Sequence, residues 1–117
     1  MQRDPRAYLW DVREAANAIL DFVAGLDASL YANTPIVHSA VERKFEIIGE
    51  ALGQLSKIDP VLAARVPLLP QIVAFRNQII HGYATVNHGT VWNVVQSALP
   101  ALLTSVQTLL QELGEQT

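Results

Sequence analysis

No cysteine occurs in the 117 residues, which excludes disulfide frameworks, zinc ribbons and thiol catalysis. Charge is also sparse, at 16% of residues, and eight Lys and Arg face eleven Asp and Glu for a net charge of −3. The basic residues are dispersed, so the chain lacks the many phosphate contacts with which a protein coats long nucleic acid. An enzyme that grips one or two phosphates needs only local positive charge and is not excluded. The N-terminus, Met1-Gln2-Arg3-Asp4-Pro5, lacks an apolar leader, and the expected location is cytoplasmic. The most apolar stretch, Pro60 to Phe75, is interrupted by Arg65, Pro67 and Pro70 and is too short and broken to span a bilayer. Strand signals are nearly missing as well.

Apolar residues are plentiful, making up 50% of the chain. A single domain over 1–117 is expected from the length, and it should bury roughly two-thirds of the surface exposed by the unfolded chain. The apolar surplus points to a face covered by a partner, hence to an oligomer. Asp4-Pro5, Thr34-Pro35 and Asp59-Pro60 each pair a capping residue with proline. The cap side chain accepts an otherwise orphaned amide, and proline has no amide to orphan. The first helix should run from Pro5 to Val23 or Leu26, ended by Gly25 or by Asp27-Ala28-Ser29, with Leu9, Val12, Ala16, Ile19, Val23 and Leu26 on its apolar stripe. The second starts after Thr34 and carries Val37, Val41, Phe45, Ile48, Leu52 and Leu55. A helical turn is expected around Asp59 to Arg65. The third helix follows Pro70 and stops near Gly82 through a left-handed glycine. The fourth starts near Asn87 and is kinked at Pro100. Short links between amphipathic helices make this an all-α, antiparallel, up-and-down bundle of four main helices.

The third helix and its exit read Phe75-Arg76-Asn77-Gln78-Ile79-Ile80-His81-Gly82-Tyr83. Arg76, Ile80 and Tyr83 share a face of a continuous helix, whereas His81 points about 140° from Arg76. Unwinding at Gly82 would let the imidazole swing toward the guanidinium. Each residue also has a plain structural role open to it. Arg76 could pair with Glu46 or Glu50 on the second helix, and His81 could cap its own helix. Tyr83 could be a boundary aromatic, and Asn77 an ordinary surface amide. His38 and His88 make no one-turn pair with another histidine, and without cysteine no metal site is expected. His88 fits a solvent-exposed helix start. Trp10 and Trp92 fit core or interface anchors better than nucleobase platforms.

Arg76-Asn77-x-x-x-His81-x-Tyr83 resembles the arginine–histidine signature of the HEPN superfamily in the form found in HepT-like toxins. The similarity extends along the chain in the family's order. Asp4-Pro5 with Tyr8-Leu9-x-Asp11 resembles the family's opening helix, and Ile48-Gly49-Glu50-Ala51 its second-helix signature. His81-Gly82-Tyr83, Val91-Trp92 and Leu99-Pro100 resemble its closing segment.

The resemblance implies a metal-independent endoribonuclease toxin of a type VII-like toxin–antitoxin pair, acting as a homodimer whose cleft lies at the two-fold interface. It further implies an RNA rather than a DNA substrate, no cofactor, and a minimal nucleotidyltransferase as antitoxin. Arg76 and His81 become catalytic, Asn77 a supporting polar group, and Tyr83 the candidate site for transfer of AMP. The residue types suit that chemistry. Cleavage through the ribose 2′-hydroxyl needs a base, an acid and positive charge for the transition state. Histidine serves either proton-transfer role, and arginine holds phosphate oxygens bidentately. One chain supplies one motif histidine, and a symmetric dimer supplies two. The alternatives are a non-catalytic nucleotide-binding partner of a nucleotidyltransferase and a purely structural helical dimer.

Overall fold

The computed structural model describes residues 3–82 and 86–114. Among them the chain is all helical, without a strand. The order is α1 (Pro5–Val23), α2 (Ala28–Ala32), α3 (Pro35–Ile58), α4 (Pro60–Ala63), α5 (Leu69–His81), α6 (His88–Gln96) and α7 (Ala98–Glu112). Three of the helices start on the proline the sequence marks. Asp4 accepts from the Arg6 amide at 2.9 Å and Asp59 from the Leu62 amide at 3.0 Å. Thr34 differs, because its hydroxyl donates back to the Leu30 carbonyl at 2.6 Å instead of capping α3. Its side chain closes the preceding turn, which leaves Pro35 to start the helix.

The residues α2 occupies were expected to end the first helix. Gly25, at φ 81°, does end that segment. Asp27 then caps a new helix, accepting from the Leu30 amide at 2.8 Å. Asparagine and aspartate bond nearby backbone amides, so the same residue that punctuates a helix can open the next. The closing helix is also divided. Ser97 leaves helical geometry (φ −123°, ψ −69°), separating α6 from α7. Pro100 cannot bond to the carbonyl of residue 96 and crowds it. With the break at Ser97, proline falls in the first turn of α7, where amides lack helical partners anyway.

The core joins the apolar stripes of α1, α3, α5 and α7. Leu9, Val12, Ile19, Phe45, Ile48, Leu52, Leu99, Leu102 and Leu110 are fully buried. α3 is the centre, packed on α1 along one side and on α5 along another. Ser56 lies by Leu69 and Pro70 at one end, while Gly49 meets Arg76 farther along. That order makes α3 and α5 antiparallel. Phe45 and Phe75 meet edge to face with centroids 5.1 Å apart, which sets the separation of α3 and α5. Arg65, just after α4, pairs with Glu112 at the end of α7. No helix of the described residues is long and apolar enough to cross a membrane.

Candidate active site

Arg76 sits on α5 where that helix presses closest to α3. A Cβ placed on Gly49 would lie 2.3 Å from Arg76 Cγ and 2.4 Å from its Cβ, well inside contact distance. The glycine therefore leaves the space in which the arginine stem lies. Arg76 Nη2 donates to Glu50 Oε2 at 2.9 Å and Nη1 to Asn77 Oδ1 at 3.1 Å. Its Nε is buried and has no hydrogen-bond partner among the described residues. Of the two glutamates expected as partners, Glu50 makes the pair, and Glu46 instead pairs with Arg43 at 3.5 Å. The Arg76 side chain is 25% exposed and that of Glu50 59%. The acid thus reaches the arginine from the solvent side, in a pair of the weakly stabilising, exchangeable kind.

Arg76, Glu50 and Glu46 line a groove of about 460 Å³ that also presents Arg3, Asp11 and Arg43. Arg3 pairs with Asp11 at 2.8 Å, so all three of the groove's arginines carry a carboxylate partner. An anion entering here has to take Arg76 over from Glu50.

His81 is the last residue of α5 and is exposed. The helix does not unwind before it. The Gly82 amide donates to the Gln78 carbonyl at 2.8 Å, and Gly82 has φ −116°, not the left-handed conformation expected. Regular helix geometry through residue 81 keeps the imidazole turned away from Arg76. It lines a second groove of about 470 Å³, between the end of α5 and the start of α6, with Phe75, Gln78, Asn87 and Thr90. Within one chain Arg76 and Asn77 are therefore together, and His81 opens onto the neighbouring groove. His81 has no hydrogen bond or ion pair among the described residues, and Tyr83 lies outside them.

The two remaining histidines are where the sequence misleads. His38 on α3 and His88 at the start of α6 stack with ring centroids 3.9 Å apart, and both turn Nδ1 toward Glu42. His88 is thus packed against another element rather than being a freely solvated helix start. The partnership spans fifty residues and is invisible to local spacing. The one-turn step from His38 to Glu42 was its only sequence signal. Beneath them Tyr31 is fully buried, and burial together with the Glu42 charge pushes its phenol far above the usual range. Trp92 packs on Tyr31 with centroids 5.4 Å apart, and Trp10 packs against the main core. Both serve as anchors, as expected.

The all-helical fold and the α5 motif define a class, and comparison with known proteins gives the family. The family model described as Ribonuclease HepT-like matches residues 12–109. The chain belongs to the HepT-like ribonuclease family. It is 30% identical over 108 residues to "Putative RNase MJ1380" of Methanocaldococcus jannaschii, covering 91% of this chain and 96% of that one. It is 29% identical to "Putative RNase TTE0752" of Caldanaerobacter subterraneus, over 94% of this chain and 97% of the relative. Against "Probable ribonuclease HepT" of Thermococcus cleftensis the identity is 28%, over 87% and 92% of the two chains. No solved structure gives a significant match.

Proposed function

We propose that the protein is a metal-independent endoribonuclease whose active cleft forms between two copies of the chain. The observation that carries this reading is the contrast along α5. Arg76 is seated by Gly49 and held by Glu50, while His81, one and a half turns on, is exposed and has no hydrogen bond or ion pair among the described residues. An ion pair alone would give Arg76 a structural role, but it gives none to His81. Family membership supplies the reaction class, RNA cleavage.

In this mechanism a phosphate of the RNA replaces Glu50 on the Arg76 fork, with Asn77 holding the guanidinium plane. Two-fold pairing across α5 brings the His81 of each copy to the same phosphodiester. One imidazole takes the 2′-hydroxyl proton as the 2′-oxygen bonds to phosphorus. The other gives a proton to the departing 5′-oxygen as the P–O5′ bond breaks. The two arginines offset the negative charge that builds on the phosphoryl oxygens. The protein acts as the toxin of a pair whose antitoxin is a minimal nucleotidyltransferase. AMP placed on Tyr83, two residues from His81, adds bulk and negative charge where the substrate phosphate binds and repels it.

The test is incubation of the purified protein with mixed cellular RNA, both in EDTA and without it. Cleavage is expected from the unmodified protein and not from protein carrying AMP on Tyr83, with both giving the same helical circular dichroism. Intact RNA in every arm would refute the enzyme and leave the non-catalytic partner subunit. Full cleavage by the modified protein would refute the role given to Tyr83.

A further inference from the structure

His38, Glu42 and His88 bring one donor atom each to within 4.8 Å of one another. His38 and Glu42 stand one turn apart on α3, and His88 opens α6. Each histidine Nδ1 lies 3.7 Å from Glu42 Oε2, too far for a hydrogen bond. Both Nδ1 atoms are nonetheless buried and have no hydrogen-bond partner among the described residues, and the same holds for the Tyr31 hydroxyl. The Tyr31 ring stands edge-on to both imidazoles, with centroids 6.2 and 6.3 Å away. Two orphaned imidazole nitrogens facing one carboxylate, beside a buried phenol that also lacks a partner, are what an ion site looks like without its ion, because buried polar groups otherwise find partners.

We infer that His38, Glu42 and His88 bind one zinc-class divalent cation. Tetrahedral zinc, at about 2.0–2.2 Å from nitrogen and oxygen donors, sets those donors roughly 3.4 Å apart. The two nitrogen–oxygen separations of 3.7 Å are within a few tenths of an ångström of that spacing, and the imidazoles, stacked with their planes 24° apart, must rotate to aim both nitrogen lone pairs at one ion. Two imidazoles and one carboxylate select zinc, cobalt or nickel over magnesium and calcium, which prefer all-oxygen sites. Three protein donors leave a position for water, and the neighbouring Tyr31 hydroxyl lacks a partner. The ion is structural, standing apart from the RNA chemistry. It ties the first residue of α6 to α3 and so fixes Asn87 and Thr90, which wall the groove opposite His81. This inference does not rest on the ribonuclease reading.

Zinc titration of chelator-treated full-length protein tests it, followed by calorimetry and by thermal melting. One zinc per chain and a melting temperature that rises with zinc are expected, since an ion that binds only the folded state stabilises it. His88→Gln and Glu42→Gln, shown folded by circular dichroism, should each bind at least tenfold more weakly, and His81→Ala should bind like wild type. Cobalt in place of zinc should give the intense visible absorption of a tetrahedral site, and the two glutamine variants should lose it. Absence of saturable zinc binding by wild type would overturn the inference. So would undiminished binding in both folded glutamine variants, or equal weakening by His81→Ala.

Discussion

Replacing His81 with alanine is expected to lower RNA cleavage by at least roughly 10²–10⁴-fold, the usual contribution of a single positioned proton-transfer group. The size follows from the number of tasks the residue carries. In a dimer built on α5 the one substitution removes both the base that takes the 2′-hydroxyl proton and the acid that protonates the 5′-oxygen. The fold should hardly register the change. His81 is exposed and is bonded to nothing among the described residues. Among the described residues its structural service is that of a cation at a helix C-terminus, worth about 0.3–1 kcal/mol when charged. Urea unfolding of the variant should therefore move by less than about 1 kcal/mol. Cleavage at the wild-type rate by His81→Ala would remove the imidazole from the mechanism.

Gly49→Ala should cost about 1 kcal/mol of net stability and most of the activity. The added carbon would meet Arg76 Cγ at 2.3 Å, Cβ at 2.4 Å and Cδ at 2.9 Å. Rotating the arginine relieves the contacts to Cγ and Cδ but not the one to Cβ, whose position the backbone sets. α5 must therefore move off α3, disturbing the Phe45–Phe75 contact and the Arg76–Glu50 pair. Overpacking of this kind costs about 1–3 kcal/mol. Part is offset, because alanine favours helix over glycine by about 1 kcal/mol. Gly53, one turn along the same helix, is the internal control. Nothing lies within 4 Å of a Cβ there, so Gly53→Ala should stabilise by up to about 1 kcal/mol. Opposite shifts of the urea midpoint at equal slope are the expected pattern. A Gly49→Ala protein as stable as Gly53→Ala would mean that the two helices do not meet as described.

The Gly49 case shows how much of the site was legible beforehand. Ile48-Gly49-Glu50 stood out as a family signature, and Glu50 was one of two acids open to Arg76. That the glycine is a seat for the arginine stem depends on how α3 and α5 cross, which the sequence does not state. The helix starts at Pro5, Pro35 and Pro60 were legible because capping and proline geometry are local. α2 was not, since Asp27 is as good a stop as a start, and only its bond to the Leu30 amide decides. The division at Ser97 was hidden because the apolar period runs from Val95 to Leu99 and Leu102 across the break. The direction of His81 was left open between two geometries for a related reason. Gly82 permits unwinding but does not require it, and with its amide bonded to Gln78 the helix continues. The meeting of His38 and His88 is a purely tertiary event.

Turned away from Arg76 in its own chain, His81 reaches a common phosphate only if two copies pool their grooves, and mixed dimers with one His81→Ala subunit measure that directly. Turnover per mixed dimer should fall close to that of the doubly substituted protein, because one shared cleft needs both imidazoles. Half of the wild-type turnover or more would show that each copy works alone, and the shared cleft would have to be abandoned.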